Sequence, residues 1–380
     1  YFNKPEMTKR LKSVLYMGSY EESYARNKIF IKGLQSNNIK VFQYNIKSTN
    51  LLKNLRLFLR NFKNLYYKNF DLIILFSQSP IQLLIAKFLA YLKRVPLIYD
   101  KFISKLQTVY HDRNLYKRTK LIPRIGWYLI LYSLDFIDCK LADFIILDTY
   151  SHIKYFHEKF NIPLRKFRRI LVGSQDDIFY PREKIKSEEN KFIVGFWGSF
   201  IHLHGIEYII NAAKILEKDN EIFIILVGQG QTYEESEKLA KSLKLTNIKF
   251  IPKSFLIENK LEDLAELIAT FDIGLGIFGN TDKTIQVIPN KIFEGIAMDL
   301  PMISCESPAI KELFTNEENI VLCERANSQS LANAILRLKS DKELRTKVRI
   351  NANKIYHNYC STEKISKNLM NYLNKILEKT

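Results

Sequence analysis

The stretch FIVGFWGSFIHLHGIEYIINAAKIL (192–216) decides the fold. An apolar run, FIVGFWG (192–198), stops at a glycine-punctuated turn, and an amphipathic run begins at Gly205. A strand apolar on both faces, a turn and a helix make half of a βαβ unit, the building block of parallel sheets. Taken alone, such a strand–loop–helix occurs in most doubly wound folds, so its weight depends on repetition along the chain.

The pattern does repeat. Toward the C-terminus, further strand runs are IFIILVG (222–228), IKFIP (248–252), IGLGIF (273–278), PMISC (301–305) and IVLC (320–323). Helical patterns over 205–217, 231–244, 260–270, 290–298, 307–314 and 328–339 alternate with them, and 341–380 reads as helix throughout. Toward the N-terminus the strand runs are SVLYM (13–17), VFQYNI (41–46), LIILF (72–76), PLIYD (96–100), FIILD (144–148) and RILVG (169–173). Helices fill 21–36, 50–67, 80–93, 120–139 and 150–160. The charged segment PREKIKSEENK (181–191) has the composition of a linker. The expected fold is therefore α/β, with two successive Rossmann-like doubly wound domains over 1–182 and 183–355. A C-terminal helix over 356–380 is expected to pack back on the first domain.

Composition narrows the function. The 380 residues carry a net charge of +18. Residues 1–182 hold 32 Lys/Arg against 13 Asp/Glu, whereas residues 183–380 hold 26 against 27. A basic first half suggests an anionic partner (membrane lipid, a phosphate-bearing acceptor or nucleic acid), the alternative being a solvated basic face. Basic and aromatic residues interleave in LRLFLRNFKNLYYKNF (55–70), but no nucleic-acid motif accompanies them, and the spacing is that of a basic amphipathic helix. Segments 54–70 and 113–132 are the candidate membrane contacts, and no nucleic acid is expected. The most apolar region, DLIILFSQSPIQLLIAKFLAYL (71–92), contains Asp71, Gln78, Pro80, Gln82 and Lys87, and so reads as strand–loop–helix rather than a span. Cys139, Cys305, Cys323 and Cys360 share no metal or disulfide spacing, which fits a reducing compartment. With no signal pattern in YFNKPEMTKRLKSV, the expectation is a cytoplasmic protein, peripheral on the inner face of the cell membrane.

Open α/β sheets bind ligands at the carboxyl ends of their strands. Three segments of the second half sit there. Gly198, Ser199 and His204 lie in the first turn. Gly228 and Gln229 end the next strand. The third segment, GNTDKTIQVIPNKIFEGIAMDLP (279–301), is the most telling. Pro289 suits a helix entry, the amides at Asn290 and Lys291 form its positive end, and Glu294 follows one turn later. That arrangement suits a diphosphate at the helix start and a ribose diol on the carboxylate. Lys283 and Lys291 supply charge without a metal, and no cofactor is expected.

Together these residues resemble a known family. PNKIFEGIAMDLPMISCESPAIKELF (289–314) resembles the donor-binding segment of retaining glycosyltransferases of the GT-B fold, in particular family 4. The Gly-rich loop of 198–205 and LVGQG (226–230) resemble two further hallmarks, in order and spacing. The first half is similar more loosely, through a Gly18–Ser19–Tyr20 loop, PLIYDKFIS and FIILDTYSH. The resemblance implies two domains facing across a cleft, with the nucleotide diphosphate-sugar on the second. The acceptor would sit on the first domain, near Gly18, Ser19 and Tyr20, and is expected to be a lipid-linked or cell-surface glycan precursor. Position by position, Glu294 falls on the ribose-binding glutamate. Gln286 stands where the family has a glutamate that touches the donor sugar. Asp100 stands near an N-domain histidine of the family, and is taken with Lys283 and Lys291 as catalytic. Two alternatives from other classes are a GT-B-fold nucleotide-sugar epimerase and a catalytically silent nucleotide-sugar-binding or membrane scaffold protein.

Overall fold

The computed structural model describes residues 10–46, 50–77, 79–112, 123–183, 191–252 and 261–378. Most of the linker expected over 181–191, and residues 113–122 of the second candidate membrane segment, lie outside the described residues.

Among the described residues, twelve strands form two six-stranded sheets, in which every pairing is parallel. The first contains β1 (Ser13–Gly18), β2 (Lys40–Asn45), β3 (Leu72–Phe76), β4 (Leu97–Asp100), β5 (Phe144–Leu147) and β6 (Phe167–Arg169), in the order β2-β1-β3-β4-β5-β6. The second contains β7 (Phe192–Ser199), β8 (Ile222–Gln229), β9 (Ile248–Pro252), β10 (Ile273–Leu275), β11 (Met302–Cys305) and β12 (Val321–Cys323), in the order β12-β11-β10-β7-β8-β9. Central strands such as LIILF and MISC are apolar on both faces because helices cover both sides.

The helices of the first half are α1 (Ala25–Ser36), α2 (Leu51–Tyr67), α3 (Pro80–Lys93), α4 (Arg124–Leu141) and α5 (Tyr150–Phe160). Those of the second half are α6 (Ile206–Leu216), α7 (Tyr233–Ser242), α8 (Glu262–Ala269), α9 (Asn290–Ala297), α10 (Pro308–Lys311), α11 (Ser328–Ser340), α12 (Lys342–Ile355) and α13 (Thr362–Leu377). Their starts follow local chemistry. Asn50, Thr149, Ser307, Asn327, Asp341 and Ser361 each cap a helix by accepting a backbone N–H three residues on.

In the first sheet, one core lies under α2, α3, α4 and α5, and the other face is covered by α1 and α13. Helix α13 returns from the second half to bury Leu369 and Leu373 against α1. The approach is close enough that a Cβ on Gly33 would meet Ser366 Oγ at 2.0 Å. The same apolar cluster continues into the second half through Ile268 of α8 and Ile292, Phe293 and Ile296 of α9. One core thus spans both sheets, and the carboxyl ends of the strands face a common junction.

Candidate active site

In the second sheet the strand order reverses between β7 and β10, and that is where an open sheet leaves a crevice outside its carboxyl ends. Gly198 ends β7 there with φ +135°, and its register partner Gly228 has φ +150°. A side chain on Gly228 would strike the Gly198 carbonyl, and one on Gly198 would sit 3.3 Å from Lys291 Nζ. Both positions need glycine, and Gly198 keeps the lysine's approach open. Beyond them Ser199 and Gln229 are exposed at the strand ends.

Helix α9 begins at Asn290 behind Pro289, and no side chain caps it. Its positive end therefore looks into the crevice with its first amides available to an anion. Lys291, in the first turn, is 4% exposed. Its Nζ lies 3.8 Å over the Phe196 ring and 3.5 Å from the Gly276 carbonyl. Burial lowers its proton affinity well below the ordinary lysine range, and Glu294 offsets only part of that. This is a cation placed where its charge is costly until an anion arrives.

Glu294 is held by Trp197, whose Nε1 donates to Oε2 at 2.6 Å. Burial raises the Glu294 pKa, while the Trp197 bond and Lys291 pull it down. His204 Nδ1 meets the Ser199 carbonyl, which requires the Nδ1–H tautomer and leaves Nε2 as the lone-pair nitrogen. Burial, then Lys291 and Lys283, push its pKa well below the usual histidine value, so the ring is neutral near pH 7. Gly198, Ser199, His204, Lys291 and Glu294 are thus brought together, with Gly228 and Gln229 at the rim.

The remaining donor-side residues form the seam between the domains. Lys283, on a short 3-10 turn at Asp282–Ile285, donates to Thr108 Oγ1 at 3.2 Å. Gln286 is buried, and its Oε1 accepts from Gln107 Nε2 at 2.8 Å. Its backbone carbonyl accepts from Thr149 Oγ1. Asn290 Nδ2 donates to Tyr24 Oη at 3.2 Å. Glu312 accepts from the amides of Tyr150 and Ser151 at 2.8 and 2.7 Å, and from Arg169. One domain's carboxylate thereby caps a helix of the other.

Two expected residues need correction. The Asp100 side chain is wholly inaccessible, and Arg26 holds both its oxygens at 2.7–3.0 Å. A carboxylate so paired is a structural ion of the first domain, and it does not face the crevice as the catalytic reading requires. Tyr20 turns its ring inward against Tyr16 and bonds Gln43 through Oη, so it offers no acceptor contact. Gly18 and Ser19 do lie at the carboxyl end of β1, where Ser19 N donates to the Phe76 carbonyl.

Sequence reasoning passed over Tyr24, Gln107, Thr108, Thr149, Trp197 and Glu312. Trp197 lies near the end of β7, and a lone indole between Gly195 and Gly198 is a usable signal. Gln107 and Thr108 lie on a short π-helical segment, Leu106–Asp112, for which periodicity gives no warning. Among the described residues, no three His, Cys, Asp or Glu side chains are grouped to hold a metal ion.

Residues 179–355 match the family model described as glycosyl transferases group 1. A Haemophilus influenzae protein described as an uncharacterized glycosyltransferase is 24% identical over 228 residues, or 59% of this chain. The match covers 57% of that relative's own length. Among solved structures, Anabaena HepE in complex with UDP-glucose superposes with a TM-score of 0.69 at 15% identity, over 96% of this chain and 99% of that one. Sucrose-phosphate synthase from Thermosynechococcus elongatus gives 0.71 at 13% identity, over 97% and 100%. The chain has the two-domain GT-B architecture of these proteins.

Proposed function

We propose that this chain is a glycosyltransferase that takes a sugar from a nucleoside diphosphate held in the crevice of the second domain. The observation that carries the reading is Lys291: a buried ammonium beside an uncapped helix start, at the strand switch point, with a glycine opposite. The match over 179–355 and the UDP named with HepE support the same donor class. Glu294, oriented by Trp197, would receive the ribose diol, and the amides at Ser199 and Asn290 the phosphates.

The difficult step is cleavage of the bond between the anomeric carbon and the phosphate oxygen. Negative charge grows on the leaving diphosphate as that bond breaks, and fixed positive groups aimed at it lower the barrier. Lys283 and Lys291 fill that role in this proposal. The acceptor hydroxyl forms the new bond from the leaving-group side, its proton passes to the departing phosphate, and configuration is retained. Family 4 is the type this most resembles. No metal or other cofactor takes part.

The acceptor in this reading is a lipid-linked or cell-surface glycan precursor, met by the basic first domain at the cytoplasmic face of a membrane. No helix among the described residues is long and apolar enough to cross a membrane. One observation favours a silent nucleotide-sugar-binding protein instead: Gln286 is uncharged and already bonded to Gln107. Incubating the protein with a panel of nucleotide sugars and following free nucleoside diphosphate separates the two. Slow release from one donor, accelerated by its acceptor, supports the transferase; binding without release supports the silent protein.

A further inference from the structure

Helix α2 has three faces rather than two. Asn54, Phe58 and Leu65 are buried against the sheet. Leu52, Leu55, Leu59 and Tyr66 form a second apolar stripe that points outward, with Leu59 63% exposed. Lys53, Arg56 and Arg60 each follow a leucine of this stripe by one residue, and Lys63 continues the basic row beside it. A helix that has already buried one face has no folding reason to carry a second apolar one.

The stripe does not end with α2. Phe62 on its edge lies 6.4 Å from Phe88 of α3, ring to ring. Helix α3 in turn exposes Leu84, Phe88 (51%) and Tyr91 (78%), at helical spacing. Helix α4 packs beside α3 and exposes Ile125, Leu129 (56%) and Ile137. Three neighbouring helices on one side of the first sheet therefore share a continuous apolar ridge, much broader than the scattered exposure of an ordinary surface.

Charge selects the occupant. The three helices contain only two acidic residues, Asp135 and Asp138, and both are buried in a cluster with Lys101 and Lys105. No carboxylate of these helices reaches the surface, while the cations of α2 do. A shallow basin of about 530 Å³ lined by Arg60, Lys63, Asn64, Tyr67 and Lys68 opens beside the ridge. A second copy of the chain would set like charge against like. We propose that α2, α3 and α4 form a docking face for an anionic lipid bilayer, with apolar side chains entering the headgroup boundary and the α2 cations meeting lipid phosphates.

This deepens the membrane-acceptor reading but is tested apart from it, because vesicle binding needs no nucleotide. The full chain is sedimented with vesicles of phosphatidylcholine alone, and with vesicles containing about one third phosphatidylglycerol. Binding to the anionic vesicles should exceed binding to neutral ones at least tenfold, and raised salt should weaken it. Changing Lys53, Arg56, Arg60 and Lys63 to Gln should erase the preference. Leu84→Ser with Phe88→Ser and Tyr91→Ser should weaken anionic binding severalfold, while Leu336→Ser on the second domain leaves it unchanged. A cooperative thermal melt close to that of the parent shows that each variant is folded. Equal partitioning to both vesicles, no partitioning, or wild-type binding by either the charge variant or the α3 ridge variant overturns the proposal. So does a dimer that the α3 variant dissociates while vesicle binding persists.

Discussion

Replacing Lys291 with Met leaves the shape of the side chain nearly intact and removes its charge. In the free protein that ammonium is buried, rests on the Phe196 ring and has one long bond to a carbonyl. Its lowered proton affinity means that these contacts do not repay desolvation. The variant without ligand should therefore be more stable than the parent, raising the melting temperature by about 2 °C or more. Nucleotide binding should move the other way. A charge-assisted bond to phosphate contributes about 1.5–3 kcal/mol, so affinity falls roughly 10- to 150-fold. At a nucleoside diphosphate concentration of about one hundred dissociation constants, ligand stabilises the parent by about 2.7 kcal/mol. After a hundredfold loss, the same concentration yields only about 0.4 kcal/mol. Thermal melts with and without nucleotide read both effects on one sample. A variant that melts lower than the parent, or keeps the full nucleotide shift, refutes the assignment of Lys291 as a phosphate cation.

Glu294→Ala should cost about 2–3 kcal/mol in nucleotide affinity, since a diol and the Trp197 indole both lose their acceptor; unchanged calorimetric affinity counts against the ribose role. Lys283→Ala should lower kcat more than it raises KM, because its charge is used as the leaving group departs, and steady-state kinetics that show only a KM effect would move it to ground-state binding. His204 ties stability to pH. Its folded pKa lies below the unfolded value of about 6.5, so the unfolded chain binds the extra proton first. Stability contributed by the neutral ring is therefore present above about pH 6.5 and is lost as pH falls below it; His204→Asn should flatten that limb of the melting-temperature profile, and an unaltered profile assigns the loss elsewhere.

Much of the scaffold was legible because strands buried on both faces are short apolar runs, and LIILF and MISC have no other reading. The strand expected at RILVG (169–173) marks where that logic fails. Pairing with β5 stops at Arg169, and the carbonyls of Ile170 and Leu171 are taken by the Arg26 guanidinium instead of a neighbouring strand. Apolar content alone cannot tell a paired segment from one buried beside an arginine. The strand expected at IGLGIF (273–278) likewise stops at Leu275, and the Gly276 carbonyl points toward Lys291. Within the site, Pro289, Asn290, Lys291 and Glu294 were legible because helix spacing fixes their mutual placement. The seam was not. Gln107 and Gln286 are 179 residues apart, and nothing local to either indicates the other. Asp100 failed for the same reason, since its partner Arg26 is 74 residues away.

The central claim is that the crevice between β7, β10 and α9 receives the nucleoside diphosphate of a sugar donor. Calorimetric titration of the full chain with a panel of nucleoside diphosphates and their sugars, without added metal and again with Mg²⁺, tests it most directly. The account predicts that one nucleoside diphosphate binds at a single site with or without the metal, and that Glu294→Ala and Lys291→Met each abolish or greatly weaken that binding. Binding that survives both substitutions unchanged, or no binding by any member of the panel, would contradict it.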